Sequence, residues 1–177
     1  MKKLLLAVIA GVLLFCLGGC GDKGASPAPS ETTTELNHNF SAKADIKFGD
    51  LTATADINRT APDAFTAVLN SPAALKGMTF TYQGETIRVS YKGLSVDLNE
   101  DGFAARAMTS AVVKALDSAA KDTGASVKVK GDTVEIAGKN DNGEFTLTLD
   151  KKTGSALKLK IPSLDLECKF GDFTFLK

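Results

Sequence analysis

Apolar and polar residues alternate along most of the chain from residue 39 onward. In residues 42–48, for example, Ala, Ala, Ile and Phe are separated by Lys, Asp and Lys. Strict alternation is typical of a strand with one buried face and one solvated face. We therefore expect about eleven strands. They lie near residues 42–48, 51–57, 65–69, 78–82, 87–91, 94–98, 127–129, 134–136, 145–149, 157–161 and 164–170, with a short continuation at 173–175.

Short polar segments that contain glycine separate the apolar runs. Glycine and asparagine supply the backbone conformations that tight hairpin turns require. Because such turns join neighbouring strands, they predict an antiparallel meander. The predicted turns are at Gly49–Asp50, Gln83–Glu85, Lys92–Gly93, Lys130–Asp132, Asp141–Gly143 and Asp150–Gly154.

One segment departs from the alternation. Between Phe103 and Lys121, apolar residues recur at steps of three and four, which predicts an amphipathic helix. Asp101 can cap its start, and Gly124 follows where a left-handed stop is expected. Residues 71–77, with proline in the first turn and a final glycine, predict a second helix of at most about one and a half turns.

These elements limit the possible architectures. Eleven strands form a flat sheet about 50 Å wide, whereas a helix is only about 10–12 Å across. The sheet must therefore curl around the helix, close into a barrel or fold into a sandwich. The architecture that uses every segment is a curled antiparallel half-barrel over residues 39–177, with the long helix and the short one on its concave face. We therefore predict a mainly β (α+β) fold of this kind.

The first nineteen residues have the pattern of a secretory signal. Two lysines precede an apolar run of about fourteen residues, which is too short for a stable membrane-spanning helix. The run ends in Leu17-Gly18-Gly19-Cys20, which resembles the lipobox of bacterial lipoproteins. That resemblance implies cleavage before Cys20 and attachment to its sulfur of a diacylglycerol, whose acyl chains include palmitate. A plain signal peptide with a chance cysteine is the alternative.

Residues 20–38 predict a flexible tether between this anchor and the domain. The segment contains almost nothing to bury, so it cannot offset the entropy cost of becoming ordered. Its root-mean-square span is about 20–25 Å, which would keep the domain near the outer surface of the cell membrane. His38, at the end of the tether, is interpreted as a solvated residue.

The composition narrows the possible functions. The whole chain has 21 basic and 21 acidic residues. The mature chain would have 19 and 21, a net charge of −2, so no basic surface for nucleic acid is expected. Since His38 is the one histidine and only two cysteines follow the leader, we expect no catalytic residue, metal site or cofactor. Cys168 alternates with Leu166 and Phe170, which indicates a buried small side chain.

Three segments of the sequence have a pattern found in a known family: Phe40–Ile46, Ser71–Phe80 followed by Val89–Leu94, and Thr153–Pro162. They resemble the lipoprotein-carrier superfamily that includes LolA-like, LolB-like and LppX-like proteins. That family has an open half-barrel of about eleven antiparallel strands with helices on the concave side. The chain is most similar to lipid-anchored LolA-like proteins of Gram-positive anaerobes, and its predicted anchor distinguishes it from soluble carriers.

The resemblance implies a non-catalytic function in the cell envelope. The leading hypothesis is an extracytoplasmic lipoprotein, expected to be a monomer, that binds an acyl chain, a lipid or another lipidated ligand in a concave cavity. The alternative is a scaffold or regulatory module with a filled core that binds an envelope protein. Replacing Val112 with Glu separates them, because it abolishes ligand uptake in an open groove and unfolds a packed core. The expected lining residues are Phe80, Tyr82, Ile87, Val89, Tyr91, Met108, Val112 and Leu116.

Overall fold

The computed structural model describes residues 37–62, 64–84, 86–98, 104–121 and 125–176, with side chains described from residue 110 onward in the helix. The predicted leader, Cys20 and the tether up to residue 36 lie outside these residues. The predicted helix cap Asp101 and helix stop Gly124 also lie outside them.

The described residues form eleven strands, one α-helix and two short 3₁₀ turns. The helix α1 is Ala104–Lys121, and the 3₁₀ turns are Ala73–Leu75 and Pro162–Leu164. The strands are β1 (Phe40–Phe48), β2 (Leu51–Ala61), β3 (Ala64–Ser71), β4 (Thr79–Gln83), β5 (Thr86–Tyr91), β6 (Leu94–Leu98), β7 (Ser126–Lys130), β8 (Thr133–Asn140), β9 (Gly143–Asp150), β10 (Ala156–Ile161) and β11 (Leu166–Phe175).

All eleven strands belong to one open antiparallel sheet. Its order is β6-β5-β4-β3-β2-β1-β11-β10-β9-β8-β7. An N-terminal arm (β1–β6) and a C-terminal arm (β7–β11) therefore meet where β1 pairs with β11. Strands β6 and β7 are the two edges, and the segment that connects them contains α1. The chain thus crosses from one edge of the sheet to the other on the concave side.

The sheet is curled around the helix. Helix α1 packs mainly on β8 and also contacts β9 and β4. Strands β4 and β9 are six positions apart in the sheet, about 29 Å if the sheet were flat. One helix about 10–12 Å across contacts both arms only because the sheet bends toward it. This geometry confirms the half-barrel predicted from the sequence.

The core lies between the concave face and α1. In β1 and β2, the inward residues are buried and the intervening residues are exposed or half-buried, as the alternation predicts. The helix contributes a face rich in small residues, including Ala111, Ala115 and Ala119, each with no exposed area. Small side chains let the helix approach the sheet closely.

The structure refines three of the predicted elements. The second predicted helix is a single 3₁₀ turn, Ala73–Leu75, which agrees with its predicted upper length. The predicted continuation at residues 173–175 is part of β11, which extends to Phe175. The strand predicted to begin at residue 164 begins at Leu166, after the Pro162–Leu164 turn. Proline fixes the backbone for such a turn and cannot supply a ladder hydrogen bond.

Gly138 in β8 leaves space for the aromatic ring of Phe145 in β9. The two residues are direct cross-strand partners. A Cβ atom at position 138 would lie 2.6 Å from Cζ and 2.9 Å from Cε1 of that ring. Phe145 is almost completely buried, so its ring has little room to move. Position 138 therefore requires glycine because of packing rather than because of its backbone angles.

We predict that Gly138→Ala lowers the free energy of unfolding by about 1–3 kcal/mol, the usual cost of overpacking a core. The matched control is Gly171→Ala, because a Cβ atom there meets nothing within 4 Å. Urea unfolding of residues 37–177 measures both variants. Equal stability of the two variants would contradict this account of the Phe145 contact.

Candidate functional site

The eight residues predicted to line a groove occupy different environments. Five are buried in the core between the sheet and α1, each at most 5% exposed. Val89 and Tyr91 are half-buried at its margin. Met108 lies in α1, but its side chain is outside the described part of the helix. The five buried residues are Phe80, Tyr82, Ile87, Val112 and Leu116.

In the hairpin of β5 and β6, the apolar concave face of the sheet continues beyond the core. The two-residue turn of this hairpin has φ values of 48° at Lys92 and 81° at Gly93, as a tight hairpin requires. The Tyr91 hydroxyl donates a 2.7 Å hydrogen bond to the carbonyl oxygen of Ala74 in the first 3₁₀ turn. The Lys92 ammonium lies 5.1 Å from the centre of the Tyr91 ring. These contacts fix the tyrosine ring at the tip of the hairpin.

We call the exposed end of this face the apolar corner, defined by Val89, Tyr91, Leu94, Val96 and Leu98. Leu94 is 78% exposed and Val96 is 55% exposed. Their cross-strand partners are Tyr91 and Val89, while Leu98 pairs with the buried Ile87. Because directly opposed residues point to the same face of a sheet, the corner extends the concave apolar surface from the core to solvent.

The opposite edge of the sheet differs from the apolar corner in charge. In β7, Val129 is 59% exposed, but it lies between Lys128 and Lys130. Lys130 forms an ion pair with Glu135 in β8. Lysines are a common protection for an edge strand, because burying their charges against another strand is unfavourable.

A buried ion pair holds α1 against the sheet. Arg59 in β2 donates from Nη2 to Oδ1 of Asp117 in α1 at 2.7 Å, and both side chains are less than 8% exposed. Nη1 of Arg59 also donates to the carbonyl oxygen of His38 at 3.1 Å. Asn37 Nδ2 donates to the carbonyl oxygen of Ala120 near the end of α1, at 3.5 Å. The start of the domain is thus attached to both the sheet and the helix.

The convex face is polar and carries exposed ion pairs. Lys43 pairs with Asp172 at 2.7 Å, and Glu167 accepts from both Lys158 and Lys160. The hydrogen bond from Lys158 is the main reason why the pKa of Glu167 lies below its ordinary value. Three open grooves, of about 380, 370 and 410 Å³, involve mainly residues of this face. None of the three is lined by the eight predicted residues.

The described residues contain no cluster of three or more His, Cys, Asp or Glu side chains that could hold a metal ion. In the same part of the chain, no helix combines the length and the apolar character needed to cross a membrane. Cys168 is completely buried, as its place in the alternation predicts. Burial, together with the negative charge of Asp45, raises the pKa of its thiol far above the ordinary range.

Several solved structures are similar to this chain at low sequence identity. An uncharacterized conserved protein from Thermus thermophilus is 9% identical, with a TM-score of 0.53 over 82% of this chain and 83% of that one. A LolA superfamily protein from Nitrosomonas europaea is 9% identical, with a TM-score of 0.42 over 83% and 91%. A chain of the complex between the CwlD amidase and the GerS lipoprotein of Clostridioides difficile is 16% identical, with a TM-score of 0.49 over 79% and 87%.

The open sheet of eleven strands with a helix on its concave side is the architecture that the family resemblance implied. The strand order therefore confirms the predicted open half-barrel. At these identities the likeness concerns the fold alone. No protein-family model matches the chain, and no curated protein matches it either.

Two features were missed by the sequence interpretation. Arg59 continues the inward-facing series of Ala55 and Ile57, so its position on the apolar face was readable from the alternation. A charged residue in that register requires a buried partner, here Asp117. The exposure of Leu94 and Val96 was not readable, since alternation does not show which strand ends the sheet.

We predict that Asp117→Ala lowers the free energy of unfolding by about 3–5 kcal/mol, because it leaves the Arg59 guanidinium buried without its carboxylate. Urea unfolding of residues 37–177 measures the change. The control is Asp97→Ala, which breaks the exposed pair between Asp97 and Arg88 and should leave the midpoint unchanged. A double variant, Arg59→Met with Asp117→Leu, should recover most of the stability. A small effect of Asp117→Ala would refute the anchoring role of the pair.

We predict that Cys168 does not react with a thiol reagent such as DTNB in the folded protein between pH 7 and pH 9. The raised pKa keeps the thiol protonated over this range, and the thiolate is the reactive form. Denaturation in urea should make it react at once, because the pKa returns to about 8.5. Rapid reaction of the native protein, measured by absorbance on residues 37–177, would show that Cys168 is accessible.

Proposed function

We propose that this protein is a non-catalytic lipoprotein of the cell envelope that binds an acyl chain or another apolar ligand on the concave face of its half-barrel. The ligand would lie on the apolar corner. The single observation that carries the proposal is the exposure of Leu94 and Val96 on a face that is continuous with the core. Contiguous apolar surface left in contact with solvent is a common mark of a binding site.

The dimensions of the corner suit part of an acyl chain. From Leu94 to Leu98 the strand rises about 13 Å, and the corner is two strands wide. Each buried methylene group contributes about 0.8 kcal/mol, so eight of them contribute about 6 kcal/mol before the entropy cost of binding is subtracted. The half-buried residues Val89 and Tyr91 would form the inner boundary of the binding site.

The proposed location follows from the N-terminal sequence. A lipid on Cys20 would attach the domain to the outer surface of the cell membrane, and a tether spanning about 20–25 Å would keep the corner near the bilayer. Membrane lipids and acylated proteins are the apolar molecules present there. The proposed role is binding rather than catalysis, and no resident cofactor is proposed.

A second candidate is a protein-binding scaffold or regulator. It is favoured by the packing of Phe80, Tyr82, Ile87, Val112 and Leu116, which are buried side chains rather than the walls of an open groove. With Val112 only 2% exposed, we expect Val112→Glu to destabilise the domain instead of blocking uptake alone. A protein ligand would then use the same apolar corner.

Native mass spectrometry of residues 37–177, expressed without the anchor, tests the proposal. We expect a reproducible added mass of lipid size that is lost on denaturation, together with binding of a fluorescent fatty acid. Leu94→Glu should weaken fatty-acid binding about tenfold or more, because it places a charge where the methylene groups lie.

Val129→Glu is the matched control, since it introduces the same charge at a similarly exposed position on the other edge of the sheet. It should bind the fatty acid like the unmodified domain. If the native mass is that of the protein alone and no fatty acid binds, the lipid proposal is overturned and the protein-binding candidate is favoured. Equal loss in both variants would show that the corner is not the site.

A further inference from the structure

Strand β6 is an edge whose backbone groups can be assigned from the hairpin. In a two-residue hairpin, the residues that flank the turn exchange backbone hydrogen bonds, and such pairs alternate with pairs that do not. Leu94, Val96 and Leu98 therefore bond to β5. The N–H and C=O groups of Ser95 and Asp97 point away from β5, toward the open edge of the sheet.

Within the part of the chain that the structure describes, this edge lacks the usual protection against pairing. It has no proline, no lysine and no register shift along its pairing with β5. Its one charge, Asp97, is neutralised on the convex face by Arg88, through two hydrogen bonds of 2.7 and 3.0 Å. An exposed apolar edge without such protection is a template for a further strand. Strand β7 carries two lysines, Lys128 and Lys130, of which Lys130 is paired with Glu135.

The sequence of β6, Leu-Ser-Val-Asp-Leu, is nearly the same in both directions. If two copies pair in antiparallel fashion about Val96, then Leu94 lies opposite Leu98, and Ser95 lies opposite Asp97. The outward-pointing backbone groups of Ser95 and Asp97 then form four interchain hydrogen bonds. The concave face gains a continuous apolar row, and the convex face places a hydroxyl beside a carboxylate. Pairing β7 with itself about Lys128 would instead oppose two lysines.

We propose that the partner of this edge is a second copy of the same chain, bound through an isologous pairing of β6 with β6 centred on Val96. A two-fold axis perpendicular to the sheet relates the copies, so the contact closes on itself and does not propagate into a fibre. The dimer contains a continuous sheet of twenty-two strands and brings the two apolar corners side by side. The monomer expected from the sequence is the dissociated state of this dimer.

Disulfide trapping in the full chain tests the pairing. At the centre of the proposed contact, the two Val96 residues form a pair without backbone hydrogen bonds, whose Cα atoms are about 4.5 Å apart. This distance is within the range of about 4.4–6.8 Å for a disulfide. Val96→Cys, expressed as the full chain in bacterial membranes and treated with copper phenanthroline, should yield a reducible dimer on gel electrophoresis.

Val129→Cys is the matched control, because Val129 has nearly the same exposure on the other edge strand. Val96→Cys should give about tenfold more dimer than Val129→Cys, since paired thiols have a high effective concentration. The unmodified chain gives the background from its native cysteines. Equal trapping of the two variants, no dimer from Val96→Cys, or preferential trapping between mixed Val96→Cys and Val129→Cys chains would each overturn the proposal.

Ser95→Pro in the Val96→Cys chain provides a second test that leaves the hairpin intact. The N–H group of Ser95 points to the open edge, so proline removes interchain bonds and no backbone bond to β5. The one contact with β5 that it removes is the exposed hydrogen bond of 2.9 Å between the Ser95 and Ser90 hydroxyls. The dimer band should disappear while the circular dichroism spectrum of residues 37–177 is unchanged. A persistent dimer would contradict the register. The pairing does not depend on lipid binding. Fatty-acid affinity is measured separately on the undimerised Ser95→Pro domain, so failure of one proposal can be told from failure of the other.

Discussion

The structure depends on one constraint, which is that a sheet of eleven strands has more apolar face than a single helix can cover. Flat, the sheet would be about 50 Å wide, and most of its inward side chains would remain in water. Curling brings the two arms toward each other, so that α1 contacts β4, β8 and β9 together. The arms also bury their inward residues in one core. The half-barrel is therefore a consequence of the ratio of strands to helix.

The route of the chain determines which part of the concave face the helix leaves uncovered. The chain must pass from edge strand β6 to edge strand β7, and α1 lies on that route. The helix packs mainly against the C-terminal arm, and the Arg59–Asp117 pair connects it to the middle of the sheet. The far end of the N-terminal arm is left with Leu94 and Val96 in solvent. The same asymmetry accounts for both proposals, since one uses the face of this corner and the other uses its edge.

The sequence predicts the regular parts of the fold well because each depends on local periodicity. Alternation and glycine turns place the strands, and steps of three and four place α1 close to its observed Ala104–Lys121. Features that depend on distant partners are less accessible. The partner of Arg59 is 58 residues away in the chain, and the edge position of β6 follows from the pairing of β1 with β11. For the same reason, the packing of Phe80 and Ile87 in the core could not be separated from a groove lining.

The central claim is that apolar ligands meet this protein at the β5–β6 corner. Backbone and methyl NMR spectra of residues 37–177, titrated with a fatty acid, test it residue by residue. The account predicts shift changes concentrated at Val89, Leu94, Val96 and Leu98, with Val129 and the convex face unaffected. Changes centred on Val129 or on the convex grooves, or no changes at saturating fatty acid, would contradict it.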